Sequence, residues 1–338
     1  MNPLIALADQ GRLPDSVIRR GIRLLNRQRL WQEQRRAAGD RDAALDRFIT
    51  GMAQSPIALV PDTANDQHYE VPTEFFKAVL GRHMKYSSGY WAGGADTLDA
   101  SEAAMLALTC QRAGIEDGMR ILELGCGWGS LTLWMAHHYP GSEILAVSNS
   151  ATQRRHIEAR AAKENLANVK VVTADMNNFD PRQFISEARE ATTFQRVVSV
   201  EMFEHMRNWP RLLSRIAGWL APGGKLFIHI FSHRDLAYAF EVRSAGDWMG
   251  RYFFTGGIMP AHGLLQRIEG PLKVEQQWRV NGRHYQKTAE AWLAKMDRNK
   301  DLILPIMGQT YGSKDAGRWF QRWRIFFMAC AELFGHDR

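Results

Sequence analysis

The chain has 338 residues, of which 45% are hydrophobic, enough to bury one large core with an appended helical segment or two smaller cores. Mean hydropathy is -0.33, and no uninterrupted apolar run approaches the roughly twenty residues that a membrane span requires. Three widely spaced cysteines exclude a disulfide framework and a C-x-x-C metal site, and the eleven histidines show no spaced ligand set, so no metal is expected. Residues 1–11 lack the charged-then-apolar order of a secretory signal, which favours a cytoplasmic location.

Part of the formal net charge of +7 lies in residues 19–36, which hold seven arginines. Pro14 and Asp15 mark a helix start just before them, and apolar residues follow at helical spacing. Such a basic amphipathic helix can lie on an anionic membrane or can dock its apolar stripe on the rest of the chain, and the second arrangement is favoured. Nucleic-acid binding is not expected, because no recognised binding motif accompanies the charge.

Residues 1–65 are predicted to form a helical segment that ends in the polar stretch 61–67, and residues 66–338 to form the main domain. An aromatic-rich stretch opens that domain at 69–90, with a short helix over 72–80. The predicted elements then run helix 97–112, strand 120–124, helix 131–139, strand 144–148, helix 152–165, strand 169–173, strand 196–200, helix 209–220, turn 221–224 and strand 225–231. Their alternation predicts an α/β fold with five parallel strands.

Residues 232–270 break this alternation with aromatic residues and a glycine pair. An insertion over the carboxyl edge of the sheet is the economical interpretation, because ligands of open α/β sheets bind at that edge. A further strand at 273–280 and helices near 288–298 and 314–333 complete the prediction.

The most informative motif follows the first predicted strand, where residues 121–130 read I-L-E-L-G-C-G-W-G-S. Gly125, Gly127 and Gly129 allow a ligand to approach the backbone closely, and the next helix offers free N–H groups at its start. The dinucleotide fingerprint would need glycine at position 130, where Ser130 stands. A nucleotide-like cofactor is therefore expected here, with the acidic Glu123 just before the glycines.

Polar residues also follow the second and third predicted strands. Ser148 and Asn149, with Gln153 one helical turn later, stand where a ribose diol would be bound, although asparagine at a strand end is also an ordinary turn residue. Asp175 and Met176 can serve an adenine amino group and ring, or Asp175 can cap a helix.

The glycine motif resembles the first motif of S-adenosylmethionine-dependent methyltransferases. Further strings resemble one branch of them, the cyclopropane-fatty-acyl-phospholipid synthases and coclaurine-type N-methyltransferases: H-Y-E-V-P-T-E-F-F at 68–76, Y-S-S-G-Y-W at 86–91, E-M-F-E-H-M at 201–206, R-Y-F-F-T-G-G-I-M-P at 251–260 and N-G-R-H-Y at 281–285. The resemblance implies a Rossmann-like class I fold with a mostly parallel, seven-stranded-type sheet. It also implies S-adenosylmethionine as cofactor, with Tyr86 and Ser87 at its carboxylate. Related chains continue past position 335 into a final edge strand, so either the sequence is truncated or that last strand is absent.

Two features of the strings separate the two branches. Glu204, His229 and Tyr285 match positions that help to hold bicarbonate in the cyclopropane synthases. Those enzymes usually have cysteine where Ser88 stands and glycine where Glu201 stands, so both departures favour the amine branch. In that branch the pair matching Glu204 and His205 serves the amine.

Chemistry agrees with this assignment, because methyl transfer to an amine requires positioning and removal of a proton. Glu204 can bind the ammonium form and His205 can accept its proton, while Glu201 can face the amino-acid end of the cofactor; a helix cap is the alternative role. The residues expected to line the substrate pocket are Ser88, His229, Phe231, His233, Trp248, Tyr252, Phe253, Phe254 and Tyr285. Aromatic runs are, however, more often plain core.

The sequence thus predicts a methyltransferase that acts on the nitrogen of a lipophilic cyclic or aromatic amine of the benzylisoquinoline or tetrahydroisoquinoline kind. Methylene transfer to an unsaturated lipid is the alternative, and a cofactor-binding protein without catalysis is a third reading. A homodimer is left open, and membrane contact is not favoured.

Overall fold

Five parallel strands form the central sheet of the computed structural model, which describes residues 3–37, 40–59, 71–185, 193–242 and 247–336. The strands are β1 (Arg120–Leu124), β2 (Glu143–Ser148), β3 (Val169–Thr173), β4 (Phe194–Val200) and β5 (Leu220–His229), in the order β3-β2-β1-β4-β5. The chain reverses its direction of travel across the sheet between β1 and β4. Ligands of such sheets bind outside the carboxyl ends of the strands at this reversal.

Helices cover both faces of the sheet. In chain order, the helices before the end of β5 are α1 (Pro3–Asp9), α2 (Asp15–Arg36), α3 (Arg41–Ala53), α4 (Thr73–Val79), α5 (Leu98–Ala113), α6 (Ser130–His138), α7 (Ala151–Lys163) and α8 (Trp209–Ala217). Thr97 and Ser150 cap α5 and α7 by accepting hydrogen bonds from backbone N–H groups. Short 3-10 turns occupy Pro181–Phe184 and Phe203–His205.

The segment after β5 adds a small antiparallel pair and a helical layer. The pair is β6 (Tyr238–Ala239) with β7 (Ile258–Met259), and α9 (Trp248–Tyr252) and α10 (Leu264–Arg267) flank β7. The carboxyl-terminal layer consists of α11 (Arg283–Arg298), α12 (Lys300–Tyr311) and α13 (Ala316–Phe334). Aromatic residues of α13 pack on α4, and Phe76 of α4 in turn contacts Trp128 of the glycine turn at 4.8 Å.

The amino-terminal helices dock on this layer through ion pairs. Arg324 of α13 contacts Asp15 of α2 at 2.7 Å and Asp297 of α11 at 2.6 Å, and Arg19 contacts Glu290 and Glu332. Ile18 is buried between them. The basic helix therefore does dock its inner stripe, while Leu24 and Trp31 on its outer face are 66% and 52% exposed. The domain boundary expected at 61–67 lies outside the described residues.

The predicted strand at 273–280 is wrong. Residues 272–281 have no regular secondary structure and nearly all are exposed, so they have no buried face that would hold them in a sheet. The segment contacts β5 and α5 through side chains: Lys225 of β5 forms an ion pair of 2.6 Å with Glu275, and the guanidinium of Arg112 on α5 lies 5.1 Å from the centre of the Trp278 ring. The predicted turn at 221–224 lies inside β5, as an irregularity in its pairing with β4.

Helix α12 is absent from the sequence prediction because Pro305 normally interrupts a helix. It forms nevertheless, since Ile303 and Met307 are fully buried in the core of the helical layer. Among the described residues no helix is both long enough and apolar enough to cross a bilayer.

Candidate functional site

A cavity opens at the carboxyl ends of β1, β2 and β4, at the reversal of the sheet. It brings together nearly all of the residues predicted for the cofactor: Tyr86, Ser87, Glu123, Gly125, Gly127, Ser148, Asn149, Gln153, Asp175 and Met176. Residues separated by up to ninety positions meet here because each follows a strand or precedes β1. Gly129 is the one predicted cofactor residue that is not part of this lining.

The three glycines of the turn have different reasons to be glycine. All have positive φ, of 77°, 53° and 80° for Gly125, Gly127 and Gly129. A Cβ at Gly125 would lie 2.5 Å from Met202, and one at Gly129 would lie 2.6 Å from Ile157, whereas a Cβ at Gly127 meets nothing within 4 Å. Gly127 therefore leaves space toward a ligand, and Gly129 serves the packing of α6 on α7.

Glu123 is almost fully buried and accepts a hydrogen bond of 2.6 Å from the Thr132 hydroxyl. Burial raises the pKa of its carboxyl to about 8. At neutral pH it is therefore uncharged in the unliganded protein. It can take part in a hydrogen bond to a ligand.

The polar residues after β2 and β3 form a connected network. The Ser148 hydroxyl donates to Gln153 Oε1 at 2.7 Å, and the buried Gln153 Nε2 has no protein acceptor in the described part of the chain. Asp175 Oδ1 accepts a hydrogen bond from the Asn177 N–H. The side-chain amide of Asn177 donates to the Ala58 carbonyl and accepts from the Ala58 N–H, both at 3.0 Å. The Gln153 Nε2 donor at the cavity and the hydrogen-bonded Asp175 and Asn177 pair suit a polar ligand whose hydroxyl groups can accept hydrogen bonds.

Glu201 joins three distant segments at the cavity. Its Oε1 accepts from the Ser88 N–H at 3.0 Å and its Oε2 accepts from the Tyr285 hydroxyl at 2.7 Å, while its own N–H donates to the His229 carbonyl at 2.7 Å. Glu201 has a φ of 51°, which is uncommon for a residue with a side chain. Backbone strain of this kind persists where surrounding contacts over-determine it, as the three hydrogen bonds do here.

Glu204 and His205 lie on the 3-10 turn just after Glu201. Glu204 is fully buried; its Oε1 accepts from the Phe231 N–H at 2.7 Å, and its Oε2 has no hydrogen-bond partner among the described residues. Burial, together with the charge of Glu201, raises the pKa of Glu204 well above its usual range. Burial lowers the pKa of His205 to about 4, so its ring is neutral at physiological pH. His205 lines the cavity and its ring lies 4.5 Å from that of Phe254.

Four residues predicted for the substrate pocket have other partners. Trp248 donates to Asp9 at 3.1 Å, Tyr252 lies under the guanidinium of Arg322 at 4.1 Å, and Phe253 stacks on Phe326 at 4.4 Å. The three rings are part of the helical layer, because their side chains face α1 and α13. His233 caps a turn, where its Nδ1 accepts from the N–H groups of Asp235 and Leu236.

The other predicted substrate residues surround the acids. Phe231 and Phe254 have ring centres 5.7 Å apart, and Tyr285 stacks on Phe334 at 4.2 Å. His229 ends β5 beside Glu201, and burial lowers its pKa to about 3. Ser88 turns its hydroxyl to the Gly89 carbonyl at 3.0 Å, so only its N–H serves the site.

Several residues that line the cavity were not among the predicted site residues, and Lys85 and Thr255 are two of them. Thr255 lies in the 251–260 string that carried the resemblance, although the string was not read for it. Lys85 directly precedes the Tyr86 and Ser87 pair, but Lys77 stands in the same aromatic segment, so sequence position alone did not single out Lys85.

Comparison with known proteins shows which proteins this chain is similar to. An (S)-coclaurine N-methyltransferase from Thalictrum flavum subsp. glaucum is 35% identical over 99% of this chain and 91% of its own length. The crystal structure of a coclaurine N-methyltransferase bound to N-methylheliamine and SAH superimposes with a TM-score of 0.92 at 32% identity, over 99% of this chain and 95% of that one. The cyclopropane-fatty-acyl-phospholipid synthase of Escherichia coli (strain K12) is 28% identical over 79% of this chain and 63% of its own length.

The family described as mycolic acid cyclopropane synthetase matches residues 61–338. The family predicted from the sequence is therefore confirmed, and the similarity is greater to the N-methyltransferase relative than to the bacterial lipid synthase. The chain belongs to the mycolic acid cyclopropane synthetase family, the family of S-adenosylmethionine-dependent enzymes to which its glycine turn and its Glu201 to Met206 string pointed.

Proposed function

We propose that this chain transfers a methyl group from S-adenosylmethionine to the nitrogen of a lipophilic cyclic amine of the tetrahydroisoquinoline or benzylisoquinoline kind. The observation that carries the proposal is the acid and base pair beside the cavity. Glu204 has a buried carboxyl oxygen without a hydrogen-bond partner among the described residues, and burial keeps the adjacent His205 neutral beside an aromatic ring. Full-length similarity to coclaurine N-methyltransferases supports it.

The cofactor end of the cavity fits S-adenosylmethionine. Gly127 would allow close backbone approach, Gln153 and Asn149 would hold the ribose, and Asp175 with Met176 would border the adenine. Tyr86 and Ser87, which line the same cavity as Glu201, would hold the amino-acid end. When bound, S-adenosylmethionine supplies an electrophilic methyl group.

At the acceptor end, Glu204 and His205 manage the proton. A cationic amine lowers the pKa of a nearby carboxyl, so an arriving ammonium group draws Glu204 into its charged form. The neutral His205 ring then has a nitrogen lone pair available for the N–H proton of the amine. Phe231 and Phe254 provide the apolar and π surface that suits a ring-bearing cation.

The 232–270 insertion is proposed to cover the acceptor end, with 66–338 as the methyltransferase domain. Phe254 beside His205 and Thr255 on the cavity wall support this role. The cytoplasmic location remains a prediction from the sequence, a homodimer is left open, and membrane contact is not favoured.

The contacts of Tyr285 favour the amine over a lipid alkene. In the lipid synthases the matching tyrosine helps to hold bicarbonate. Here its hydroxyl already donates to Glu201, a carboxylate supplied by the chain itself. An external anion would have to displace this buried hydrogen bond.

The test is turnover and binding in Glu204→Gln and His205→Gln. Each change removes one proton-handling group, so turnover of a cyclic secondary amine is expected to fall by about a hundredfold or more, the usual size of general acid–base effects. Affinity for S-adenosylhomocysteine, measured by calorimetry, should stay within about threefold, since neither side chain is placed at the cofactor.

His262→Gln is the matched control for His205→Gln, because His262 is also a histidine but is not part of the cavity lining. Its turnover should remain near that of the parent. Equal losses of cofactor affinity and turnover in both site variants would contradict the proposal.

A further inference from the structure

Lys85 is a buried cation on the wall of the cavity. Its side chain is 1% exposed, yet the residue lines the cavity at the Tyr86 and Ser87 end. Its ammonium group donates to the Ser87 hydroxyl. An ammonium has three donors, so within the described part of the chain this one hydrogen bond leaves it under-satisfied.

The neighbouring acids are engaged elsewhere. Glu201 accepts from Ser88 and Tyr285, and Glu102 accepts from the N–H groups of Gly81 at 2.9 Å and His83 at 3.0 Å. Neither carboxylate forms an ion pair with Lys85 among the described residues. Both carboxyl groups interact with Lys85 electrostatically and raise its pKa, but burial has the larger effect and lowers the pKa of Lys85 to about 8.

A buried charge with few hydrogen-bond partners costs free energy. A protein usually retains such a charge where a ligand supplies the missing partner. S-adenosylmethionine carries one anionic group, its α-carboxylate, next to an α-ammonium. If Asp175 and Met176 border the adenine, the amino-acid part of the cofactor would lie toward the Lys85 and Glu201 end of the cavity. Glu201 would offer its carboxyl oxygens to the α-ammonium, and Lys85 on the cavity wall is opposite in sign to the α-carboxylate.

We propose that Lys85 binds the α-carboxylate of the cofactor through a charged hydrogen bond from its ammonium group, with Ser87 holding that group in position. The assignment concerns only the cofactor, so it stands or falls separately from the identity of the acceptor amine. The competing role is purely structural: Lys85 would only offset the charges of Glu201 and Glu102.

Binding of two unreactive probes separates these roles. S-adenosylhomocysteine carries the carboxylate, and decarboxylated S-adenosylhomocysteine differs only in lacking it. The parent protein is expected to prefer the first by about tenfold to a hundredfold, the range for a hydrogen bond to a charged group. Similar affinity of the parent for both probes would overturn the proposal without any variant.

Lys85→Met should weaken S-adenosylhomocysteine binding by about tenfold or more and the decarboxylated probe by less than about threefold. Lys85→Gln serves the same purpose if the methionine variant does not fold, and Lys77→Met, an exposed change on α4, is the control with no effect. Equal weakening of both probes would assign Lys85 a structural role and reject carboxylate binding, as would unchanged affinity for S-adenosylhomocysteine.

Discussion

Burial controls the charge of several residues around the cavity. Glu102, Glu123 and Glu204 all have their pKa raised by burial, and His205 and His229 have theirs lowered. Burial therefore favours the uncharged forms of these three acids and two imidazoles in the unliganded protein. A cationic ligand changes this state locally, at Glu204.

The raised pKa of Glu123 makes its contribution to stability dependent on pH. Its pKa is about 8 in the folded protein and 4.5 ordinarily, so between these values the folded state binds more protons. The stabilising contribution is fully present below pH 4.5 and is lost as pH rises through 8. Glu123→Gln should remove this decline and be more stable than the parent at alkaline pH, by a difference on the order of a few kcal/mol.

Chemical denaturation of both proteins across this pH range checks the prediction. Glu102 has the same direction of shift but is present in both proteins, so its effect cancels in the comparison. Parallel pH profiles would show that Glu123 is not held neutral by the fold.

The pH profile of turnover tests the role of Glu204. Because its pKa is raised, kcat/KM for a cyclic amine should increase with pH as the carboxyl ionises. The amine itself titrates in the same sense, so Glu204→Gln serves as the reference. The variant should keep only the titration of the substrate, and identical profiles for both proteins would exclude Glu204 as the titrating group.

Cofactor residues were predictable at the residue scale because they follow strands whose ends meet at one edge. The aromatic residues were not. Trp248, Tyr252 and Phe253 lie within six residues of Phe254 in the sequence, and packing against the distant helices α1 and α13 separates these three rings from Phe254. Lys85 was missed because its burial depends on contacts that no local pattern encodes.

At the scale of elements, β1 to β4 were predictable because apolar runs between turn residues are typical of buried parallel strands. The segment 273–280 was also predicted as a strand, but it has no buried face. Helix α12 depends on the burial of Ile303 and Met307, which outweighs Pro305. Tertiary packing, rather than local preference, decided both differences.

The junction of α6 with α7 provides a test of the glycine turn. Gly129→Ala places a Cβ 2.6 Å from Ile157 at a φ of 80°, so stability should fall by about 1 to 3 kcal/mol. Gly21→Ala is the control of opposite sign, because nothing lies within 4 Å of that helical position and alanine favours a helix. Denaturant midpoints that do not separate the two variants would contradict the packing role.

The whole molecule consists of a sheet domain and a helical layer that meet at the cavity. Trp128 belongs to the glycine turn and Phe76 to the helical core, and their contact of 4.8 Å couples the two parts. Arg324 of α13 forms ion pairs with Asp15 of α2 and Asp297 of α11, and its side chain is only 16% exposed.

Arg324→Met should therefore lower the free energy of unfolding by about 1 to 2 kcal/mol, because two partly buried hydrogen-bonded ion pairs are lost. Arg318→Met on the same helix is the control, since its single pair with Asp315 is exposed on both sides and is worth at most about 0.5 kcal/mol. Equal stability of the two variants would show that the amino-terminal helices dock without help from Arg324.

The central claim is methyl transfer to an amine nitrogen, and isotope retention tests it most directly. Cofactor with a trideuterated methyl group is supplied together with a panel of cyclic amines and unsaturated phospholipid vesicles, and products are analysed by mass spectrometry. An amine product that retains all three deuterium atoms is the expected result. A lipid product that retains only two, formed while the amines remain unmodified, would contradict the claim and assign the chain to cyclopropane synthesis.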